Sequence, residues 1–281
     1  MTATTLSIPA RTTRPAGRVT FPRAVLAEWI KFRTVRSTVW TLVATVVVMV
    51  GISVLAAWGT TTNAVDAGSG SMNIAQLLSA GYQLAQLAVA VLGVLTVTGE
   101  YSTGMIRSTL AAVPRRTPVL AAKALVLAVV VLVVSVVSMG LSYLATMPWH
   151  DQLHATFDLT DPVTVRMTVG LPLYLMAISL FAFAVGALLR HSAGALTAVI
   201  ALLLVVENVL MLIPLRFVEL MSPFLPSTAG RRVLFDAETL SATDAMTNGA
   251  HLTPWEGYGV LLAWVLVLVT TAGWLLRRRD A

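Results

Sequence analysis

Residues 124–147 read ALVLAVVVLVVSVVSMGLSYLATM, and this stretch decides the fold. It is an unbroken run of mostly Val, Leu and Ala with no charged side chain, and Lys123 stands at its start. A run of about 18 or more apolar residues is long enough, as a helix, to cross the hydrocarbon of a bilayer. Similar blocks lie on both sides. Spans are expected at about 39–58, 74–98, 124–147, 167–189, 193–213 and 257–276. Trp40 and Trp58 bracket the first at interfacial depth, and Trp274 with Arg277, Arg278 and Arg279 closes the sixth. Only Arg190, His191 and Ser192 separate the fourth from the fifth, so these two form a tight hairpin. The expected fold is an all-α integral membrane protein of six transmembrane helices. One transmembrane domain spans 21–281, and residues 1–20, with their Thr, Pro, Arg and Gly, read as a disordered tail.

Composition agrees. Of 281 residues, 57% are hydrophobic and 11% charged, against about 25% charged in a soluble domain. The absence of cysteine excludes disulfides, thiolate metal sites and a cysteine nucleophile. Nothing resembles a cleaved signal peptide. The net charge of +6 is unevenly placed. With the N-terminus inside, 15 of the 19 Lys and Arg residues fall on the cytoplasmic side, leaving Arg166, Arg216, Arg231 and Arg232 outside. The acids Asp66, Asp151, Asp158, Asp161, Glu219, Asp236, Glu238, Asp244 and Glu256 fall outside too. Both termini are then cytoplasmic. The basic excess belongs to the membrane surface and its lipid, not to a nucleic acid. Arginine outnumbers lysine 17 to 2, a hint of a GC-rich bacterial genome.

Several segments stand out. Over 21–37 the residues Phe21, Val25, Leu26, Trp29, Ile30 and Phe32 share about half the helical circumference, as an interfacial helix requires. Arg33 and Arg36 intrude on that arc and would snorkel toward lipid phosphates. The loop 99–123, GEYSTGMIRSTLAAVPRRTPVLAAK, presents Glu100 at the membrane border. Gly104 opens a short stretch with Ile106 and Leu110 on one side, and Pro114 ends it. It reads either as a docking surface for a soluble partner or as an ordinary basic loop. In the second span Gln76, Ser79, Gln83 and Gln86 fall within about a quarter turn. Such a stripe faces protein or a water-filled path, serving interhelical hydrogen bonds or a translocation path. Ser135, Ser138 and Ser142 repeat the signal more weakly in the third. Glu207, followed by Asn208, is the only acid inside an expected span. It is read as a gate or substrate contact, or as a structural partner of Arg216 or Arg166. The segment 214–256, with an amphipathic piece around 227–240, lies outside and can dip back into the membrane edge.

A catalytic reading has little support. His150, Asp151 and His154 imitate a zinc-protease helix, but Pro148 is expected to break that segment. No metal site and no catalytic residue is assigned. The two lysines, Lys31 and Lys123, do not follow glycine, so there is no GK[ST] phosphate loop.

The helix AEWIKFRTVRSTVWTL, the loop GEYSTGMIRSTLAAVPRRTPVLAAK and the later PFLPSTAGRRVL together resemble the membrane permease of a bacterial type-2 ABC exporter, in an actinobacterial form. The likeness covers about 22–281. It implies six helices per subunit in a paired permease, either a homodimer or two related chains, in the bacterial plasma membrane. It implies that 22–36 is an elbow helix, with Trp29, Lys31, Arg33 and Arg36. It further implies that roughly 101–112 is a coupling helix seated in an ABC ATP-binding subunit, with Glu100, Tyr101, Gly104, Ile106, Arg107 and Pro114 matching the family's loop. ATP and Mg would be bound by that partner, with no cofactor on this chain. The implied function is outward movement of a hydrophobic or amphipathic substrate, with Gln76, Ser79, Gln83, Gln86, Glu207 and Asn208 as a possible path. The alternatives are a non-transporting membrane sensor or accessory subunit, and a membrane-embedded hydrolase.

Overall fold

A computed structural model describes residues 20–63, 73–105, 116–155, 157–210, 215–245 and 249–278. Every regular element among them is helical. An amphipathic helix α1 (Phe21–Thr34) is followed by α2 (Arg36–Asn63), a short α3 (Ile74–Ser79), α4 (Tyr82–Ser102) and the long α5 (Arg116–His150). Then come α6 (Pro162–Leu189) and α7 (Ser192–Leu210). A chain of short helices follows: α8 (Arg216–Met221), a 3₁₀ turn (Ser222–Phe224), α9 (Pro226–Gly230), a second 3₁₀ turn (Arg231–Leu234) and α10 (Ala237–Ala245). The last helix is α11 (Pro254–Arg278). Six of these, α2, α4, α5, α6, α7 and α11, are long and apolar enough to cross a membrane. The chain is a multi-pass membrane protein on that ground. The end of the bundle that carries α1 and the junctions at 99–123 is called proximal below, and the other end distal.

Four spans, α2, α5, α6 and α11, run longer than their hydropathy blocks because polar turns extend each helix beyond its apolar run. Helix α5 continues through Pro148 to His150, correcting the expected break. The kink comes instead in the second span, where Ala80 and Gly81 separate α3 from α4. There the Gly81 backbone lies so close to Met49 that a Cβ would sit 2.9 Å from the Met49 Cα.

Helix α6 is the axle. In its most apolar stretch 67% of residues are buried, against 17% in α2. Tyr174, Leu175, Ile178, Ala182 and Phe183 are fully enclosed and share one core with Val89, Leu92 and Val94 of α4, Leu127 of α5 and Leu261 of α11. The approach of α4 to α6 is backbone to backbone, since a Cβ on Gly93 would lie 2.2 Å from the Ser179 carbonyl oxygen. Small residues permit this contact, which compensates for the missing hydrophobic drive between helices in lipid.

Helix α1 is oriented by its polar face. Its buried residues are Ala24, Glu28 and Phe32, one face at i, i+4 and i+8, turned toward the bundle. Phe21, Leu26, Trp29 and Ile30 of the expected apolar arc are exposed instead, as suits a lipid-facing surface.

Candidate functional site

Four charged side chains meet at the proximal end. Lys123, near the start of α5, donates to Glu28 Oε2 of α1 at 2.7 Å and to Glu100 Oε1 of α4 at 2.7 Å. Lys31 donates to the same Glu100 oxygen at 2.9 Å and to Glu28 Oε1 at 3.1 Å. The side chains of Lys123, Glu100 and Glu28 are 5%, 6% and 8% exposed, and that of Lys31 33%. Two acids and two bases make the cluster neutral, which burial at this depth demands.

Each residue is placed by simple chain geometry. Glu28 and Lys31, three apart on α1, face the same way. Val35 breaks the helix in an extended conformation, donating back to the Lys31 carbonyl, and turns the chain into α2. Glu100 sits two residues before the end of α4. Lys31 and Lys123 are the only lysines in the chain. A compact ammonium with three donors can bridge two carboxylates in a tight space, where the wide planar fork of arginine cannot. The Lys31 ammonium is held above its ordinary pKa. Burial pulls it down, but the bond to Glu100 and the charges of Glu28 and Glu100 outweigh that.

The arrangement ties three elements into one node. The expected loop 99–123 is helical at both its ends: Glu100 lies in the last turn of α4 and Lys123 two turns into α5, so their direct bond ties together the two helices joined by the connection 103–115, and Glu28 joins that clasp to α1. Tyr101 packs beside the node, its ring 5.4 Å from the Arg190 guanidinium of the α6–α7 turn. That contact supports Arg190 in a left-handed conformation (φ 56°). Gly104 occupies a left-handed turn (φ 71°) that glycine accepts without strain. Ile106, Arg107 and Pro114 lie outside the described residues. Trp29, Arg33 and Arg36 are exposed on or just after α1, away from the node.

A second polar centre lies toward the distal end. The Glu207 carboxylate accepts from the Ser227 backbone N–H at 2.9 Å and from the Thr228 hydroxyl at 2.8 Å. Ser227 also meets the Tyr174 hydroxyl at 3.0 Å, which donates to Gln86 Oε1. The expected pairing of Glu207 with Arg166 or Arg216 does not occur. Arg166 donates to the Phe235 carbonyl, and Arg216 is exposed. The carboxylate is met instead by the start of α9, whose free N–H groups suit an anion. A π-helical turn over Ala201–Val206 makes this possible. Ala195, Val199, Leu203 and Glu207 are the buried residues of α7, four apart. That spacing drifts around an α-helix, and the wider turn absorbs the drift.

The segment 222–234 thus folds back along the bundle. Val233 and Ala229 are fully buried, and the Trp264 indole donates to the Phe224 carbonyl at 2.9 Å. Trp264 lies ten residues into α11, about 15 Å along its axis.

The kink at Ala80–Gly81 divides the expected polar stripe. Gln86 and Ser79 are buried, Gln83 is half-buried and Gln76 is exposed. Asn208 is exposed, donating to the Leu204 carbonyl of its own helix. Ser135 and Ser138 likewise bond carbonyls one turn back. His150 pairs with Thr146, and the described residues hold no group of three His, Asp or Glu side chains arranged for a metal ion. Glu28 escaped sequence reasoning because the arc around it was read as apolar. The signal that could have found it is the pair of lysines in an otherwise arginine chain.

No protein-family model and no curated protein matches this chain.

Proposed function

We propose that this chain is the membrane permease subunit of an ATP-driven exporter. The observation that carries the reading is the Glu28–Lys31–Glu100–Lys123 node. A permease without its own phosphate loop must take up force from a soluble partner, and the loop 99–123 is the place to grip. The clasp supports that role, because displacement of the loop is felt at once by α4, α5 and α1. Basic residues concentrate at this end of the bundle, which favours the cytoplasmic side for it. The node performs no chemistry in this reading; it transmits movement.

The test is co-expression with an ATP-binding subunit encoded beside this chain. A complex should be recovered, with vanadate-sensitive ATPase activity above that of the partner alone. Glu100→Gln should reduce that stimulation, and Glu100→Asp, which keeps the charge facing Lys31 and Lys123, should retain more of it. Full function of this chain in cells without any such ATPase would overturn the proposal.

A further inference from the structure

A cavity of about 320 Å³ opens beside the node, between α1, α2 and the end of α4. Its walls combine three kinds of surface. Phe32, Leu92 and Leu95 give it an apolar side. Lys31 stands at the node, the most exposed of the four charges, with two of its three N–H donors directed to Glu28 and Glu100. The third surface is a ring of hydroxyls with a shared property. Thr41 donates to the Ser37 carbonyl at 2.9 Å, Thr96 to Leu92 at 2.7 Å, and Ser102 and Thr103 to Gly99 at 3.1 and 2.8 Å. A hydroxyl has a single proton. With that proton committed to its own helix, each oxygen offers lone pairs as an acceptor.

The cavity therefore asks for a ligand with several N–H donors, one anionic group for Lys31 and an apolar part. A plain anion would leave the acceptor oxygens unmatched and would stand near two carboxylates. A plain cation would stand against Lys31. A zwitterion avoids both costs. The volume is at the small end of ligand cavities, enough for a headgroup and the first part of a chain. The rim residues Ser37, Ser102, Thr103 and Met105 are exposed, so the cavity has an open mouth. It lies beside the amphipathic α1 at the ends of two apolar spans, α2 and α4, which puts that mouth near the headgroups of a bilayer those helices cross.

We propose that this cavity binds a membrane lipid whose headgroup carries a phosphate and a primary ammonium. The ammonium donates to the hydroxyl oxygens of Thr96 and its neighbours, the phosphate meets Lys31, and an acyl chain leaves along Leu92 and Leu95. This site goes beyond the transport reading and does not rest on it, since binding is read on this chain alone.

The experiment uses the full-length chain in mild detergent, with lipid retention measured by native mass spectrometry. Three probes with matched chains are compared: phosphatidylethanolamine, phosphatidylcholine, which lacks N–H donors, and phosphatidylglycerol, which lacks the amine. Phosphatidylethanolamine should bind roughly ten-fold more tightly than either, the worth of one or two net hydrogen bonds. Thr96→Val keeps the shape, removes the acceptor oxygen and should lower that preference several-fold. Leu95→Phe should weaken all three lipids by narrowing the cavity. Glycerophosphoethanolamine, which has no acyl chains, should not compete. Equal retention of the three lipids, a preference for phosphatidylglycerol, an unchanged preference in Thr96→Val or tight binding of the chainless headgroup would each overturn the proposal.

Discussion

Replacing Lys123 by Met tests the node where it is most enclosed. Lys123 is 5% exposed and is the sole described cation that reaches Glu28 Oε2. Without it, Glu28 and Glu100 face each other with only Lys31 to neutralise both. Loss of one partner from a buried ion pair costs about 3–5 kcal/mol, because a charge is left buried and unmatched. Lys31 has the same partners at similar distances but is 33% exposed. Solvent screens it, and Lys31→Met should cost nearer 1 kcal/mol. The two substitutions delete the same side-chain type from the same cluster, so their difference isolates burial. The assay is equilibrium unfolding in mixed micelles titrated with SDS, followed by tryptophan fluorescence. A third variant, Glu28→Gln with Glu100→Gln and Lys123→Met, removes most of the charge together and should recover much of the loss seen in Lys123→Met. Equal costs for the two single lysine variants would refute the reasoning. So would a triple variant less stable than Lys123→Met, since it would mean that unmatched charge is not the source of the cost.

Three further outcomes are expected. Glu207→Ala should destabilise the bundle by about 1–3 kcal/mol by leaving the Ser227 N–H buried and unpaired. Because the chain has no cysteine, a single cysteine at Val233 should then label faster with a maleimide, whereas Glu207→Gln should preserve most of the protection. Asp244 is held below the usual carboxylate range, first by its hydrogen bond from Arg232 and also by the Arg232 charge. Its folded pKa is depressed, so the stability it adds is present above its unfolded value of about 3.8 and is lost as pH falls through the folded one. Acidification below about pH 4 should loosen the α9–α10 region in a proteolysis assay, and Asp244→Asn should remove that pH dependence. Gly93→Ala should cost about 1–3 kcal/mol or more through collision with the Ser179 carbonyl. Gly51→Ala, where an added Cβ meets nothing within 4 Å, should leave unfolding unchanged.

The six long helices are legible in the sequence because each is an apolar block of span length, and nothing in the tertiary structure competes with that signal. The kink at Ala80–Gly81 is less so. It depends on the backbone of Gly81 meeting Met49 of another helix, which no local pattern encodes. The Glu207 site was half legible. An acid within a span announces a buried partner, but the partner is a backbone N–H and a hydroxyl from 20 residues downstream rather than an arginine. Glu100 and Lys123 were noticed as flanks of a loop, while their contact depends on α4 and α5 returning to the same point. The orientation of α1 was read from its apolar arc. Phe21, Leu26, Trp29 and Ile30 face outward, as an interfacial helix requires, while Phe32 of the same arc turns in with Glu28.

The two polar centres are joined by one helix. Gln86 and Glu100 both belong to α4, 14 positions and about 21 Å apart. Between them lies Gly93, where α4 touches the backbone of α6, and α6 carries Tyr174 to the Gln86 side chain. A helix so held cannot bend easily at its middle; it can pivot or slide as a rod. Movement applied at Glu100 is then delivered at Gln86, and through Ser227 to the segment packed against α6 and α11. That segment is fixed by a few hydrogen bonds around Glu207 and by close glycine contacts at Gly170, Gly230 and Gly257. It is held further by the buried Val233 and Ala229 and by the bonds from Trp264 to Phe224 and from Arg166 to Phe235, so both ends of α4 meet firmly anchored structure.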